Sequence, residues 1–257
     1  MTSDIIFKKE GQTAYVILNR PKQKNAINFS VRQGLCDAWD EINKDSNICS
    51  VIITGGEQTF SAGQDLAELS DFRKKDPFGE LPLNCLETFG DNIKKPVIMA
   101  ISGHCLGAGF LFAMIAGDVR IASNSAVFGM PEINVGVPPA FGLPVILAQH
   151  FPPAMTSELL MFGNNFNADD AYKIGFVNMV VPPDVLLTTA KQYADKINKF
   201  SPLIVGNIKE VLKKALGPDQ VALEYSIAMC QLGRRSEDYI EGPRAFREKR
   251  KPVWKGR

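Results

Sequence analysis

A chain of 257 residues, 45% hydrophobic and 22% charged, can bury a substantial core as one globular unit or as a core with an appendage. A formal net charge of +1 excludes an overall field that would draw it to nucleic acid or an anionic membrane. Five cysteines without a C-x-x-C pair argue against a disulfide framework or a structural zinc site. The N-terminal residues carry neither a secretory nor a transit pattern, no apolar run reaches membrane-spanning length, and Lys255-Gly256-Arg257 is not a peroxisomal address. The expectation is a soluble, cytoplasmic protein of a reducing compartment, with no nucleic-acid or membrane partner, no metal and no tightly bound cofactor.

In chain order, Thr13 to Leu18 alternates as a strand and Asn19-Arg20-Pro21 breaks it. A polar loop through Lys24 leads to a helix from about Ser30 to Ile42, with Val31, Leu35, Ala38 and Trp39 at helical spacing. Ser50 to Thr54 is the next strand. Leu66 to Pro82 is polar and irregular and reads as a surface segment of the kind that supplies binding loops. Glu87 to Ile93 reads as a helix stopped before Pro96. Val97 to Ile101 is a continuous apolar run, as for a strand buried on both faces. The helix after Gly107 is apolar nearly all round and so belongs in the core.

Asp118 to Ala122 and Ala126 to Phe128 read as strands, and the alternation with helices predicts βαβ-type units. Beyond Pro152 the pattern is helical: Met155 to Met161, Ala168 to Ile174, Val185 to Phe200, Leu203 to Leu216, Asp219 to Leu232 and Glu237 to Lys249, with one strand over Phe176 to Val181. The last helices carry enough apolar residues to pack on the core or on another subunit. The basic stretch from Arg244 to Arg257 reads first as a solvated helix end and tail.

Two glycine-punctuated turns carry chemistry. Phe60-Ser61-Ala62-Gly63-Gln64-Asp65 and Gly103-His104-Cys105-Leu106-Gly107-Ala108-Gly109 each follow a short apolar run that reads as a strand, and each leads into a helical pattern. Backbone N–H groups at such turns lack intrahelical partners and sit at the positive end of a helix dipole. Two of them aimed at one point would form an oxyanion hole. Glu132, in Met130-Pro131-Glu132-Ile133, lies in an apolar segment whose burial would raise its pKa to a value useful for moving protons.

Asn19-Arg20-Pro21 with Asn25-Ala26, the two turns, Phe128-Gly129-Met130-Pro131-Glu132, Ala168-Asp169-Asp170-Ala171 with Gly175-Phe176-Val177-Asn178, and the tail from Glu241 to Arg250 together resemble the crotonase (enoyl-CoA hydratase/isomerase) superfamily. The resemblance covers essentially the whole chain. It implies an α/β fold, a crotonase-like ββα spiral core over residues 1–195 and a helical trimerisation region over 196–257, assembling as a homotrimer or hexamer. It also implies an acyl-CoA thioester substrate, coenzyme A entering only as part of that substrate. The Gln64 and Ala108 N–H groups would hold the thioester enolate, with Glu132 as acid/base. Ala26, Ala62, Gly63, Asp65, Leu66, Gly107 and Leu111 would line the substrate site, and Lys24 and Lys249, which read equally as surface lysines, would meet the coenzyme A phosphates. Phe141 would shape the acyl pocket.

The sequence departs from the hydratase pattern at Leu111, where hydratases of this family carry a second glutamate. A lone carboxylate suits proton transfer between C2 and C4, so the leading expectation is a Δ3,Δ2-enoyl-CoA isomerase. Enoyl-CoA hydratase or a carnitinyl-CoA-type dehydratase is the alternative, with Asp65 or Glu68 as a possible second acid, although Asp65 reads first as a helix-start residue. A non-catalytic acyl-CoA-binding relative is the remaining alternative. His104 reads as a turn residue, His150 as a helix-end residue and Cys105 as core.

Overall fold

Gly11, at a φ of 58°, turns the chain between strand β1 (Ile5–Glu10) and strand β2 (Thr13–Leu18), which pair antiparallel from Glu10 opposite Thr13 to Ile5 opposite Leu18. This is a computed structural model, and it describes residues 3–76, 79, 81–82, 86–139 and 142–257. The further strands are β3 (Ser50–Thr54), β4 (Val97–Ile101), β5 (His104–Leu106), β6 (Val119–Ser123), β7 (Val127–Gly129), β8 (Asn165–Asn167) and β9 (Met179–Val181). A main sheet runs β1-β2-β3-β4-β6-β9, parallel throughout except at the β1 edge. A small sheet runs β5-β7-β8.

The helices are α1 (Phe29–Lys44), α2 (Leu66–Lys75), α3 (Ala108–Ala116), α4 (Leu143–His150), α5 (Pro153–Phe162), α6 (Ala168–Lys173), α7 (Leu186–Ile197), α8 (Pro202–Leu216), α9 (Gln220–Arg234) and α10 (Glu237–Arg247). β4, β5 and α3 follow one another directly: a strand in one sheet, a strand in the other, then a helix. That is the ββα unit of the expected spiral. Single bridges, Ile27 with Gln64 and Ser61 with Cys105, set the segments entering both glycine turns side by side.

The main sheet is buried on both faces, which is why β3 and β4 read as unbroken apolar runs. One face meets Leu186, Ala190 and Ala194 of α7, and the other meets α1, α3 and the small sheet. Phe110 of α3 packs against Phe128, Phe151, Phe166 and Phe176 with ring centroids 5.1–5.9 Å apart. Such pairs contribute about 0.5–1.5 kcal/mol each beyond burial. They fix α3, and with it the second glycine turn, to the strand that leads to Glu132.

Residues 66–75, expected to be irregular, form α2. Asp65 caps it by accepting from the N–H groups of Ala67 and Glu68, and Leu69, Ser70 and Arg73 are buried where it meets α10. The cap and the tertiary contact outweigh the polar composition. The helix expected from Glu87 is a short 3-10 turn, Leu86–Phe89, ended by Gly90 at a φ of 83°. His104 lies in β5 and not in a turn. Nothing in the hydrophobic pattern marks β1, β5, β8 or α4. The strands among them are short or polar, and α4 follows the Pro138-Pro139 pair.

Candidate active site

The first turn is held by a buried polar frame. Asn25, 2% exposed and at a φ of 53°, donates to the carbonyls of Gly55 and Thr59 at 2.8 Å each, and its Oδ1 accepts from the Arg20 N–H at 2.8 Å. Ser61 Oγ donates to the Asn25 carbonyl and accepts from the Gly63 N–H. Around Gln64 the backbone is tied down: Ala62 N–H donates to Lys24, Ile27 N–H to the Gly63 carbonyl, and Asp65 N–H to the Ile27 carbonyl. The Gln64 N–H itself donates to no acceptor among the described residues. The Asn19-Arg20-Pro21 and Asn25-Ala26 motifs are thus the scaffold of this turn.

The second turn needs glycine. Gly107 has φ 52° and ψ −123°, a conformation that side chains rarely adopt, and it places Ala108 as the first residue of α3 with no intrahelical acceptor for its N–H. That N–H also donates to no acceptor among the described residues. Glycines bring the two turns together: a β-carbon at Gly63 would lie 2.9 Å from the Leu106 carbonyl oxygen and 3.4 Å from the Ala108 nitrogen. One at Gly109 would lie 2.6 Å from the Ser61 Cβ.

Glu132 stands on the 3-10 turn Pro131–Val135, closed by Gly136 in the left-handed region. α10 docks directly on this turn; a β-carbon at Gly242 would lie 1.8 Å from the Val135 carbonyl oxygen. The residue as a whole is half-buried, but its Oε2 is out of contact with solvent and has no hydrogen-bond partner. Desolvation pushes the carboxyl up to about 7, opposed only weakly by the hydrogen bond from its own N–H. The expected burial is therefore present, and so is its electrostatic consequence.

Gln64, Ala108, Leu111 and Glu132 line one cavity of about 60 Å³, together with Arg32 and Tyr239. An adjoining hollow of about 270 Å³, walled by Glu132, Ile133, Val137, Pro138, Leu143 and Leu160, is mostly apolar. Lys24 and Lys249 are exposed, both in the left-handed region, and no contact joins them. Ala26 and Ala62 flank the first turn, and Leu66 begins α2. Phe141 lies outside the described residues.

Asp65 and Glu68, the candidates for a second acid, hold structural contacts in this structure, although burial pushes the Glu68 carboxyl up. Asp65 caps α2 and pairs with Arg20 at 3.0 Å, and Glu68 accepts from the Phe29 N–H at 2.8 Å; neither lines the cavity. Cys105 is fully buried, and burial pushes its thiol up. His150 ends α4, its ring bonded to the Ile146 carbonyl. The basic tail folds back on α10, where the Arg250 guanidinium grips Glu241 and holds its carboxyl down at about 2. No cluster that could hold a metal ion, and no helix long and apolar enough to cross a membrane, occurs among the described residues.

Arg32 is a further residue of the site, and its sequence spacing signals it. It shares helical spacing with Leu35 and Trp39 and is 2% exposed, so an arginine occupies a core position of α1. Its Nη2 donates to Gln64 Oε1 at 2.5 Å, and its guanidinium lies over the Phe89 ring.

A buried, unpartnered carboxyl in one cavity with two unpaired backbone donors, on a ββα spiral, marks the chain as an α/β protein with an enzyme-like site. Comparison with known proteins gives the family. The sequence model of the enoyl-CoA hydratase/isomerase family matches residues 8–257. A short-chain-enoyl-CoA hydratase of Clostridium acetobutylicum is 36% identical over 97% of this chain and 96% of its own. A carnitinyl-CoA dehydratase of Proteus mirabilis is 34% identical over the full length of both. The crystal structure of a carnitinyl-CoA hydratase from Mycobacterium avium superposes with a TM-score of 0.85 at 32% identity, covering all of both chains. The chain belongs to the enoyl-CoA hydratase/isomerase family, the crotonase superfamily, and is one of its enzymes.

Proposed function

We propose that the chain adds water to 2-enoyl-CoA thioesters and, in reverse, dehydrates 3-hydroxyacyl-CoA. The observation that carries this reading is the Glu132 carboxyl, raised to about 7 with its Oε2 unpartnered, in one cavity with Gln64 and Ala108. The Glu132 carboxylate takes a proton from water as the water oxygen bonds to C3. The C2–C3 π electrons shift toward the thioester, whose oxygen becomes an enolate held by the Gln64 and Ala108 N–H groups. Glu132 then returns the proton to C2 and the thioester re-forms. One carboxyl thus serves both transfers, and the net change is one water added. Loss of either donor costs about 3 kcal/mol of transition-state stabilisation in comparable sites.

The acyl chain extends into the apolar hollow beyond Glu132, with Leu111 closing the opposite wall. Lys24 and Lys249 meet the coenzyme A phosphates; Ala26, Ala62, Gly63, Leu66 and Gly107 give the thioester arm its close approach to backbone. Asp65 serves by capping α2 and not by touching substrate. The region 196–257 self-associates into a trimer or hexamer through α8, whose apolar residues Leu203, Ile208, Val211 and Leu216 are more than half exposed.

The relatives named above add or remove water, which favours this reading over the isomerase expected from the lone carboxylate. Leu111, apolar and 3% exposed, is the feature that favours isomerisation. Incubation with 2-hexenoyl-CoA and 3-hexenoyl-CoA in heavy-oxygen water decides between them. Rapid labelling of a 3-hydroxyacyl product is expected; conversion of the 3-enoyl to the 2-enoyl ester without label would reverse the assignment. Glu132→Gln should abolish either reaction; unchanged turnover would take Glu132 out of the chemistry, and a wild-type chain that turns over neither ester would identify a non-catalytic binder.

A further inference from the structure

Hydration by a single carboxyl leaves one task unassigned. The oxygen at C3 must be held while Glu132 handles its proton, and Leu111 cannot hold it. The Gln64 side chain has the free valence. Arginine can only donate, so the Gln64 atom facing Arg32 Nη2 at 2.5 Å must be the carbonyl Oε1. That contact fixes the amide's orientation and turns Nε2 the other way. Nε2 is out of contact with solvent and donates to no acceptor among the described residues, and Gln64 lines the same cavity as Glu132, whose Oε2 is also buried and unpartnered. The cavity that both residues line, about 60 Å³, has room for roughly two waters. Each unpartnered atom normally costs free energy unless a ligand satisfies it.

The geometry points to the Gln64 amide as the group that binds the C3 oxygen, in water on the way in and in the hydroxyl on the way out. This rests on the hydration reading above. Gln64 then acts twice, its backbone N–H on the thioester oxygen and its side-chain N–H on the C3 oxygen, while Arg32 positions the amide. No proton passes through Gln64. In dehydration Glu132 takes the C2 proton and delivers it to the C3 hydroxyl, the C3–O bond breaks, and water leaves from the amide.

Gln64→Met keeps the backbone donor and removes the amide; Gln64→Glu keeps an oxygen for Arg32 and removes the donor. For each, hydration of crotonyl-CoA is compared with exchange of the C2 protons of butyryl-CoA in deuterium oxide, a reaction that needs Glu132 and the backbone donors but no C3 oxygen. Hydration should fall at least about tenfold further than exchange in both variants, as expected for a lost hydrogen bond in a buried site. Equal losses in the two reactions, or hydration at the wild-type rate, would overturn the inference and leave the hydration reading standing. A wild-type enzyme that exchanges butyryl-CoA protons yet hydrates no 2-enoyl-CoA would overturn both.

Discussion

Glu132 lies directly over Gly107: a β-carbon on that glycine would fall 2.5 Å from Oε1 and 3.2 Å from Cδ of the carboxyl. One missing side chain therefore does two things. It permits the φ of 52° that starts α3 at Ala108, and it leaves the volume in which the acid stands. Gly107→Ala should fold, since the turn is local, but it displaces both Glu132 and the Ala108 donor. A fall in kcat/KM of about a thousandfold is expected from losing one oxyanion donor alone. Steady-state kinetics beside circular dichroism tests this, and near-normal turnover would show that the turn has slack.

The pH dependence follows from the same carboxyl. In the proposed reaction Glu132 must be ionised to accept a proton, so kcat/KM for hydration should rise with pH and level off above about 7, where its carboxyl titrates. A profile flat from pH 5 to about 8 would remove Glu132 from the free enzyme's rate equation.

Stability should run the opposite way. Burial raises the folded-state pKa from 4.5 to about 7, so folding favours the protonated acid. Its contribution is complete below pH 4.5, declines as pH rises, and is lost above about 7. The total is about 3 kcal/mol. Glu132→Gln stays neutral throughout and escapes that loss. Between pH 4.5 and about 8, urea unfolding should show the variant gaining on wild type by up to about 3 kcal/mol while activity is absent. A pH-independent difference would place the carboxyl in contact with water.

The sequence makes much of this site legible and hides part of it for identifiable reasons. Gly63, Gly107 and Glu132 are readable because a tight turn demands glycine and an apolar run around a carboxylate announces burial. Their convergence is not readable, since Ile27 beside Gln64 and Ser61 beside Cys105 are long-range pairings. α2 is hidden because its cap, Asp65, is in the sequence but its partner α10 is remote. The role of the Gln64 side chain is hidden because it depends on Arg32, whose place on α1 resembles a surface charge until its spacing with Leu35 and Trp39 is noticed.

The frame under the first turn gives a stability test free of catalysis. Asn25 is 2% exposed, sits at a φ of 53°, and satisfies two carbonyls and one N–H. Asn25→Ala leaves those groups unpaired and strains the backbone, a combined cost of about 3–5 kcal/mol. Asn25→Gly removes the strain but not the unpaired groups and should recover only about 1 kcal/mol. Denaturant unfolding of the two variants separates the contributions; full recovery by glycine would mean the side-chain bonds contribute little.

One face of α8 is left bare by the single chain. α8 buries none of its own residues, yet Ile204, Ile208 and Val211 follow the spacing of an amphipathic helix and are 54%, 55% and 66% exposed. Lys209, bonded to Asp118 and the Lys95 carbonyl, and Lys213, bonded to Asp91, tie it to the core and leave that stripe outside. An apolar stripe of this extent is stable in water only when covered, and a charge placed within it should prevent covering. Ile208→Asp should shift sedimentation from about three or six times 28.2 kDa to the single-chain mass. Unaltered sedimentation of the variant would move the association surface to another helix, and a wild-type chain that sediments at 28.2 kDa would remove it altogether.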